Sequence, residues 1–284
     1  WNYYWDQTHD LDQQGNKNDK STYFTPIGSM FYTTTDNKGQ AYIAYFGGVY
    51  NGNAYAIKNI EIHSDTEMTG LFGMTAGAKL ENIVMYSDKE NTIEITNKST
   101  KWYSLGGLVG FAAKGTGTSA KNATITNCTV SGYKIVDSRS HDGGWGGASI
   151  GGLAGASNMD IKNCTAVNDI EINLTYNQVQ YNNVRVGGLV GNLRGSVDSV
   201  YCGGSIVSNV KKAREAIAYN QNSTSIWVGG INGGIVMIDF GNIPTLIGST
   251  TSEVTIKNSY TFVDLPPIND HQVKCSQSIA SIGE

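Results

Sequence analysis

The residues that could perform catalysis are spread along the chain without the spacing that a reaction requires. Glycoside hydrolysis needs two carboxylates facing one cleft, and a lyase adds a base and a group that neutralises the acid. Acids and lysines in strand-like segments are instead scattered, as a solvated surface would have them: Glu61, Glu81, Asp198, Lys58, Lys162 and Lys257. The four histidines, His9, His63, His141 and His271, lack the spacing of metal ligands. The sequence therefore predicts a non-catalytic protein without metal or cofactor, with a polysaccharide lyase or glycoside hydrolase as the alternative.

Aromatic residues suggest ligand binding, because a flat ring covers the apolar face of a sugar. Several stand at predicted strand ends or loops and are our ligand-contact candidates: Trp102, Tyr103, Trp145, Tyr181 and Trp227. Each one alone is better explained as filling a corner of the fold or a loop, but as a group they are the best ligand-contact candidates in the sequence. We expect a glycan or a protein surface as the partner.

The composition excludes some other functions. Charged residues make up only 15% of the 284 residues, and the net charge of −4 gives no basic footprint for nucleic acid. No run of 18 apolar residues predicts insertion into a membrane. Because the chain starts without a basic stretch and an apolar core, we expect that a signal segment has been removed or that the chain is a piece of a longer protein.

A glycine motif returns along the chain and must organise the elements that position these side chains. It reads Gly-Gly-Leu-Val-Gly at 106–110 and 187–191 and Gly-Gly-Leu-Ala-Gly at 151–155, with looser copies at 70–73 and 229–233. Its central apolar residues are 36 to 45 positions apart: Leu71, Leu108, Leu153, Leu189 and Ile231. Such a period is typical of a solenoid, in which like residues stack in successive coils.

Each glycine motif is followed by an apolar-x-Asn motif and then by a looser alternating strand. We expect the asparagines of the second motif, Asn82, Asn127 and Asn163, to form a ladder. Three strands in about 40 residues describe one coil of a right-handed parallel β-helix. The irregular spacing places insertions in long loops, chiefly at 137–149, 176–183 and 211–225.

The chain divides into three segments on this interpretation. Residues 1–24 are an aromatic N-terminal cap or an exchanged segment that covers the open end of the solenoid. Residues 25–263 form the β-helix, and residues 264–284 form a C-terminal cap or tail that begins near two prolines.

The cysteines and glycosylation sequons give weaker expectations. Cys128 and Cys164 occupy the same place in consecutive repeats, where in-register side chains seldom reach disulfide torsions, so free buried thiols are favoured. The sequence leaves the redox state of Cys202 and Cys275 open. In a eukaryotic secreted protein, the sequons that could carry glycans are Asn97, Asn173 and Asn222.

At the glycine motifs the chain resembles the GLUG-motif family, named for glycine, leucine, a large apolar residue and glycine. The resemblance runs over residues 25–263, with Asn232 replacing the large apolar residue in the last copy. It implies a β-helix of a secreted or cell-surface bacterial protein, as in adhesins and the non-catalytic N-terminal regions of immunoglobulin A proteases. The zinc motif HExxH of those proteases is missing, so peptidase activity is not implied.

We therefore expect an extracellular or cell-surface, adhesin-type β-helix that presents loops to a glycan or protein partner. The alternative is a subunit of an extracellular filament, which would self-associate end to end or exchange a terminal strand.

Overall fold

The computed structural model describes residues 3–28, 44–96, 102–116, 122–142, 145–173, 175–178, 181–209, 211–212, 223–233, 255–264 and 273–275. One 3₁₀ turn spans Lys20–Thr22. The described strands, in chain order, are β1 (Tyr4–Asp6), β2 (Leu11–Asp12), β3 (Val49–Asn51), β4 (Ala56–Lys58), β5 (Ile62–Ser64), β6 (Met68–Thr69), β7 (Phe72–Ala76), β8 (Lys79–Glu81), β9 (Val84–Tyr86), β10 (Thr92–Ile95), β11 (Trp102–Gly106), β12 (Val109–Ala113), β13 (Thr124–Thr126), β14 (Thr129–Asp137), β15 (Ser140–Asp142), β16 (Trp145–Gly151), β17 (Ala154–Ser157), β18 (Asp160–Lys162), β19 (Thr165–Ile172), β20 (Thr175–Gln178), β21 (Tyr181–Gly187), β22 (Val190–Leu193), β23 (Ser196–Asp198), β24 (Tyr201–Ser208), β25 (Lys211–Lys212), β26 (Ser223–Gly229), β27 (Thr255–Lys257), β28 (Tyr260–Asp264) and β29 (Val273–Cys275).

These strands form five sheets, and each sheet takes one strand from successive coils. Sheet A has the order β1-β3-β8-β13-β18-β23-β27, and sheet B has the order β2-β4-β9-β14-β19-β24-β28, with β5 and β10 beside it. Sheet C is β29-β26-β21-β16-β11-β6, sheet D is β22-β17-β12-β7, and sheet E is β15-β20-β25. Pairs of neighbouring strands in the described residues are parallel, as in β11 with β16 and β13 with β18. The predicted all-β fold with parallel sheets is confirmed.

A full coil passes through sheets A, B, C and D, so it contains four strands and not the three that we predicted. The glycine motif is the reason for the difference. It does not form one strand but joins two, because β11 ends at Gly106 and β12 begins at Val109. Both strands are buried on both faces and therefore lack the alternation that marks a half-buried strand.

The glycines at this corner allow strands of sheets C and D to pack against each other at close range. A Cβ at Gly106 would lie 2.3 Å from the carbonyl oxygen of Val109, and one at Gly151 would lie 2.1 Å from that of Ala154. Any larger residue would push the two sheets apart, and this explains why the motif needs glycine.

The central apolar residues of the motif lie one above another. The backbone N–H of Leu108 donates to the carbonyl of Leu153, and that of Leu153 donates to Leu189, both at 2.9 Å. Leu71 and Ile231 extend this column at its two ends, and all five residues are buried. Stacked rungs of this kind build one continuous core.

The corner between sheets A and B carries the asparagines of the second motif. Asn127 donates through Nδ2 to Asn82 Oδ1, and Asn163 donates to Asn127 Oδ1, both at 3.1 Å. The three backbones have φ between 53° and 55°, in the left-handed region that asparagine tolerates better than most residues. Asparagine is therefore selected here by conformation as well as by hydrogen bonding.

The insertions that we assigned to loops contain strands. β15, β20 and β25 lie in the segments predicted as long loops and pair with one another as sheet E. Inserted segments of similar length in neighbouring coils can pair in register, so these insertions partly continue the solenoid.

The N-terminal segment, predicted as an aromatic cap, contributes strands to two sheets. β1 pairs with β3 and β2 pairs with β4, both in parallel. Tyr4 and Trp5 remain 59% and 54% exposed, so these two rings are not buried over the core.

Cys128, Cys164 and Cys202 are buried free thiols, while the side chain of Cys275 lies outside the described residues. Burial raises the pKa of Cys202 to about 11. In the part of the chain that the structure describes, no helix has the length and apolarity to cross a membrane.

Candidate functional site

Sheet C brings most of the predicted aromatic positions onto neighbouring strands. The register aligns Trp145 with Tyr181 on β16 and β21. Residues an even number of positions apart share a face of a strand, and Trp102, Trp145, Tyr181 and Trp227 fall on the same face of sheet C. Trp102 is in register with Gly147, and Trp227 is in register with Arg185. These positions therefore form a staggered aromatic row on one face of four neighbouring strands, at three levels along the strands. We call this row, Trp102, Trp145, Tyr181 and Trp227, the sheet C row.

Trp102 and Arg185 make the best-defined part of the row. The ring of Trp102 lies over Gly147, where an added Cβ would be 2.1 Å from a ring carbon. The guanidinium of Arg185 sits 5.8 Å from the centre of that ring, within the range of a cation–π contact. Arg185 is 5% exposed, and burial lowers its pKa to about 10. A charged group held beside a half-buried indole gives this face both stacking surface and positive charge.

The prediction of Tyr103 as a ligand-contact residue is wrong, because the structure places it on the opposite, inward side of β11. It is 1% exposed, and its hydroxyl donates to Asp137 Oδ2 at 2.6 Å. The guanidinium of Arg139 lies over its ring and bonds Asp137 through Nε at 3.1 Å. Burial raises the pKa of Tyr103 well above its ordinary value. This buried cluster holds the chain together where sheet B turns towards sheet C.

A cluster of charged residues that the sequence did not reveal lies beside sheet B. His63 contacts Glu94 through Nδ1 and Glu61 through Nε2, each at 2.6 Å. Tyr23 stacks on the imidazole with ring centroids 4.3 Å apart. The sequence did contain a signal for this cluster, since His63 and Glu94 are the outward residues of two strands with alternating burial. Only the register of β5 with β10 shows that they are neighbours.

The Glu61 side chain also lines a polar cavity of about 340 Å³. Asn91 donates to Glu61 Oε2 at 2.9 Å and to the carbonyl of Gly15 at 2.8 Å, which ties the N-terminal segment to the coil. Lys17 and Lys89 line the same cavity. Both carboxylates of the cluster bind one imidazole, so this arrangement orders the N-terminal segment rather than opening a space between two acids.

The remaining predicted sites have separate outcomes. Asn173 donates to Glu171 Oε1 at 2.8 Å and accepts from Asn209 at 3.0 Å, so its amide is already engaged. Asn97 and Asn222 lie outside the described residues. Among the residues that the structure describes, no group of three or more His, Cys, Asp or Glu could hold a metal ion.

Two coils of the solenoid match a known sequence family. The family described as "The GLUG motif" matches residues 103–136 and 146–171. The chain carries the GLUG motif. Each matched GLUG segment runs from a strand of sheet C through the glycine corner, sheet D, sheet A and the asparagine corner into sheet B. Trp102 and Trp145 stand one residue before the two GLUG segments, so these two members of the row lie at the border of the motif that builds the coil.

A solved structure is also similar to the GLUG-containing chain. It is the crystal structure of a "putative immunoglobulin A1 protease from Bacteroides ovatus", 17% identical, with a TM-score of 0.46 over 98% of this chain and 78% of that one. The comparison with curated proteins gave no match.

Proposed function

We propose that this protein is a non-catalytic, extracellular or cell-surface β-helix that binds a glycan through the sheet C row. The observation that supports it most is the placement of Trp102, Trp145, Tyr181 and Trp227 on one face of four neighbouring strands, where Trp145 is in register with Tyr181. Each ring on this face can cover one apolar sugar face.

Arg185 favours a glycan with acidic groups. Its guanidinium lies beside Trp102, and a buried cation attracts anionic groups more strongly than a solvated one does. Uronate-containing or sulfated chains thus fit the row better than neutral chains.

The secreted location rests on the GLUG motif, which the two matched coils carry, and on what that resemblance implies. A non-catalytic role is favoured because the described acid–histidine cluster uses both of its carboxylates on one imidazole.

Binding to an array of neutral and acidic oligosaccharides, followed by calorimetry on the best ligand, tests the proposal. Replacing Trp102→Ala removes one stacking ring and should weaken binding about tenfold, while Trp102→Phe keeps a ring and should lose less. Tyr55→Ala is the matched control, because Tyr55 is 41% exposed and lies at the corner between sheets A and B, away from sheet C.

Two results would contradict the proposal. One is unchanged affinity in Trp102→Ala. The other is release of shorter or unsaturated products when the oligosaccharides are incubated with the wild-type protein, which would show an enzyme.

A further inference from the structure

The two ends of sheets A and B carry residues that would complete each other. In the described residues, β1 and β27 are the outermost strands of sheet A, and β2 and β28 are the outermost strands of sheet B. All of these strands are parallel to their neighbours. A second copy placed below β27 and β28 would therefore add its β1 and β2 in the same orientation that the chain uses between its own coils.

Trp5 is an inward-facing residue of sheet A on the outermost strand of that sheet among the described residues. Its column continues through Tyr50 and Leu80 to Val197 and Ile256 at the other end of the sheet. Leu80 and Val197, inside the column, are fully buried, whereas Trp5 is 54% exposed and Ile256 is only partly buried. Leu11 repeats the pattern in sheet B, where it is 43% exposed while Met85 in its column is fully buried.

The charges along the neighbouring column are complementary in the same register. Lys162 pairs with Asp198 and Asp198 pairs with Lys257, so the signs alternate towards the last strand. Asp6 stands at the start of this column, beside Asn51. Continuing the register from β27 into the β1 of a second copy places Asp6 next to Lys257, and Trp5 next to Ile256.

We infer that the chain binds a second copy of itself head to tail, with β1 and β2 of one copy continuing sheets A and B after β27 and β28 of the other. The contact buries Trp5 and Leu11 against the last described coil and pairs Asp6 with Lys257. It is a heterologous contact, in which two different surfaces meet, so repetition of the same contact would build a filament. This inference is independent of the glycan proposal, which concerns sheet C.

Sedimentation velocity from micromolar to millimolar protein tests the association, and larger species should form as the concentration rises. Trp5→Asp places a charge in the contact and should weaken association about thirty-fold or more, as loss of a central tryptophan does. Because Trp5 is more than half exposed, circular dichroism of this variant should match that of the wild type. A protein that stays monomeric throughout would overturn the inference.

Mixing two blocked variants distinguishes head-to-tail contact from other modes. Trp5→Asp blocks the first end and Ile256→Asp blocks the second, so neither variant should associate alone. Mixed together they should form a dimer, in which the intact β27/β28 end of Trp5→Asp binds the intact β1/β2 end of Ile256→Asp. This dimer cannot grow, because both of its outer ends are blocked. Absence of that dimer would overturn the inference.

The charge pair offers a second test that keeps all apolar groups. Asp6→Lys and Lys257→Asp should each weaken association several-fold, while the variant with both changes should recover it. If the double variant associates no better than the two single variants, Asp6 and Lys257 do not meet and the proposed register is wrong.

Discussion

Replacing Asn127 tests whether the asparagine ladder is selected by conformation or by hydrogen bonding. Asn127 donates to Asn82 and accepts from Asn163 at 3.1 Å, and its φ is 55°. A hydrogen bond contributes about 0.5–1.5 kcal/mol net, so removing both should cost about 1–3 kcal/mol in either Asn127→Gly or Asn127→Ala.

The two variants differ in their backbone. A Cβ in the left-handed region costs about 1–2 kcal/mol, whereas glycine avoids this cost but gains about 0.4–1 kcal/mol of freedom in the unfolded chain. Asn127→Gly should therefore be more stable than Asn127→Ala by about 0.5–1 kcal/mol. Urea unfolding followed by tryptophan fluorescence measures the difference.

Asn18 supplies the control, because it is exposed and does not have a positive φ. There the order should be reversed or lost, with Asn18→Ala at least as stable as Asn18→Gly. If Asn127→Ala equals or exceeds Asn127→Gly in stability, the left-handed corner does not determine the residue, and the conformational reasoning is refuted.

Three further substitutions probe the core. Gly152→Ala would put a Cβ 2.1 Å from a carbonyl oxygen of the next coil and should lower the free energy of unfolding by more than about 2 kcal/mol. Gly203→Ala is the control and should lower it much less, because its Cβ first meets a flexible side chain at 3.3 Å. Asp137→Ala should cost about 3–5 kcal/mol in urea unfolding, because it leaves the fully buried Arg139 without its carboxylate. Tyr103 has a raised pKa in the folded state, so its contribution is complete below about pH 10, the ordinary tyrosine value, and is lost as the pH rises further. Unfolding between pH 8 and 11 should thus show a smaller decline for Tyr103→Phe than for the wild type, and equal declines would contradict the assignment.

The fold was predictable because its strongest determinants repeat along the sequence. Leu108, Leu153 and Leu189 share one motif at a regular interval, and only a stacked coil places such residues in contact. The number of strands per coil was not predictable in the same way. Sheets C and D are buried on both faces, so the sequence through Gly106 and Val109 gives no alternation by which to separate them.

The candidate sites depend on register, and this limits what the sequence could show. Trp102 and Trp145 were recognisable as ligand-contact candidates, but their neighbours in the sheet follow only from the pairing of β11, β16 and β21. Tyr103 was misassigned because adjacent residues of a strand point to opposite faces, so one position separates a surface ring from a buried one. His63 and Glu94 were missed because 31 residues separate them along the chain.

Each coil combines a corner that admits only glycine with a strand end that admits a side chain, and this explains why the motif itself carries so little information about function. At Gly106 and Gly151 a side chain would meet backbone atoms of the same coil or the next one, so these positions can hold only glycine whatever the protein binds. Trp102 lies at the start of the same strand, where the residue is only partly buried. The solenoid thus restricts one end of each sheet C strand and leaves the other end free to vary. We therefore expect a ligand of this chain to contact that end of the sheet C strands, where Trp102, Trp145 and Tyr181 lie.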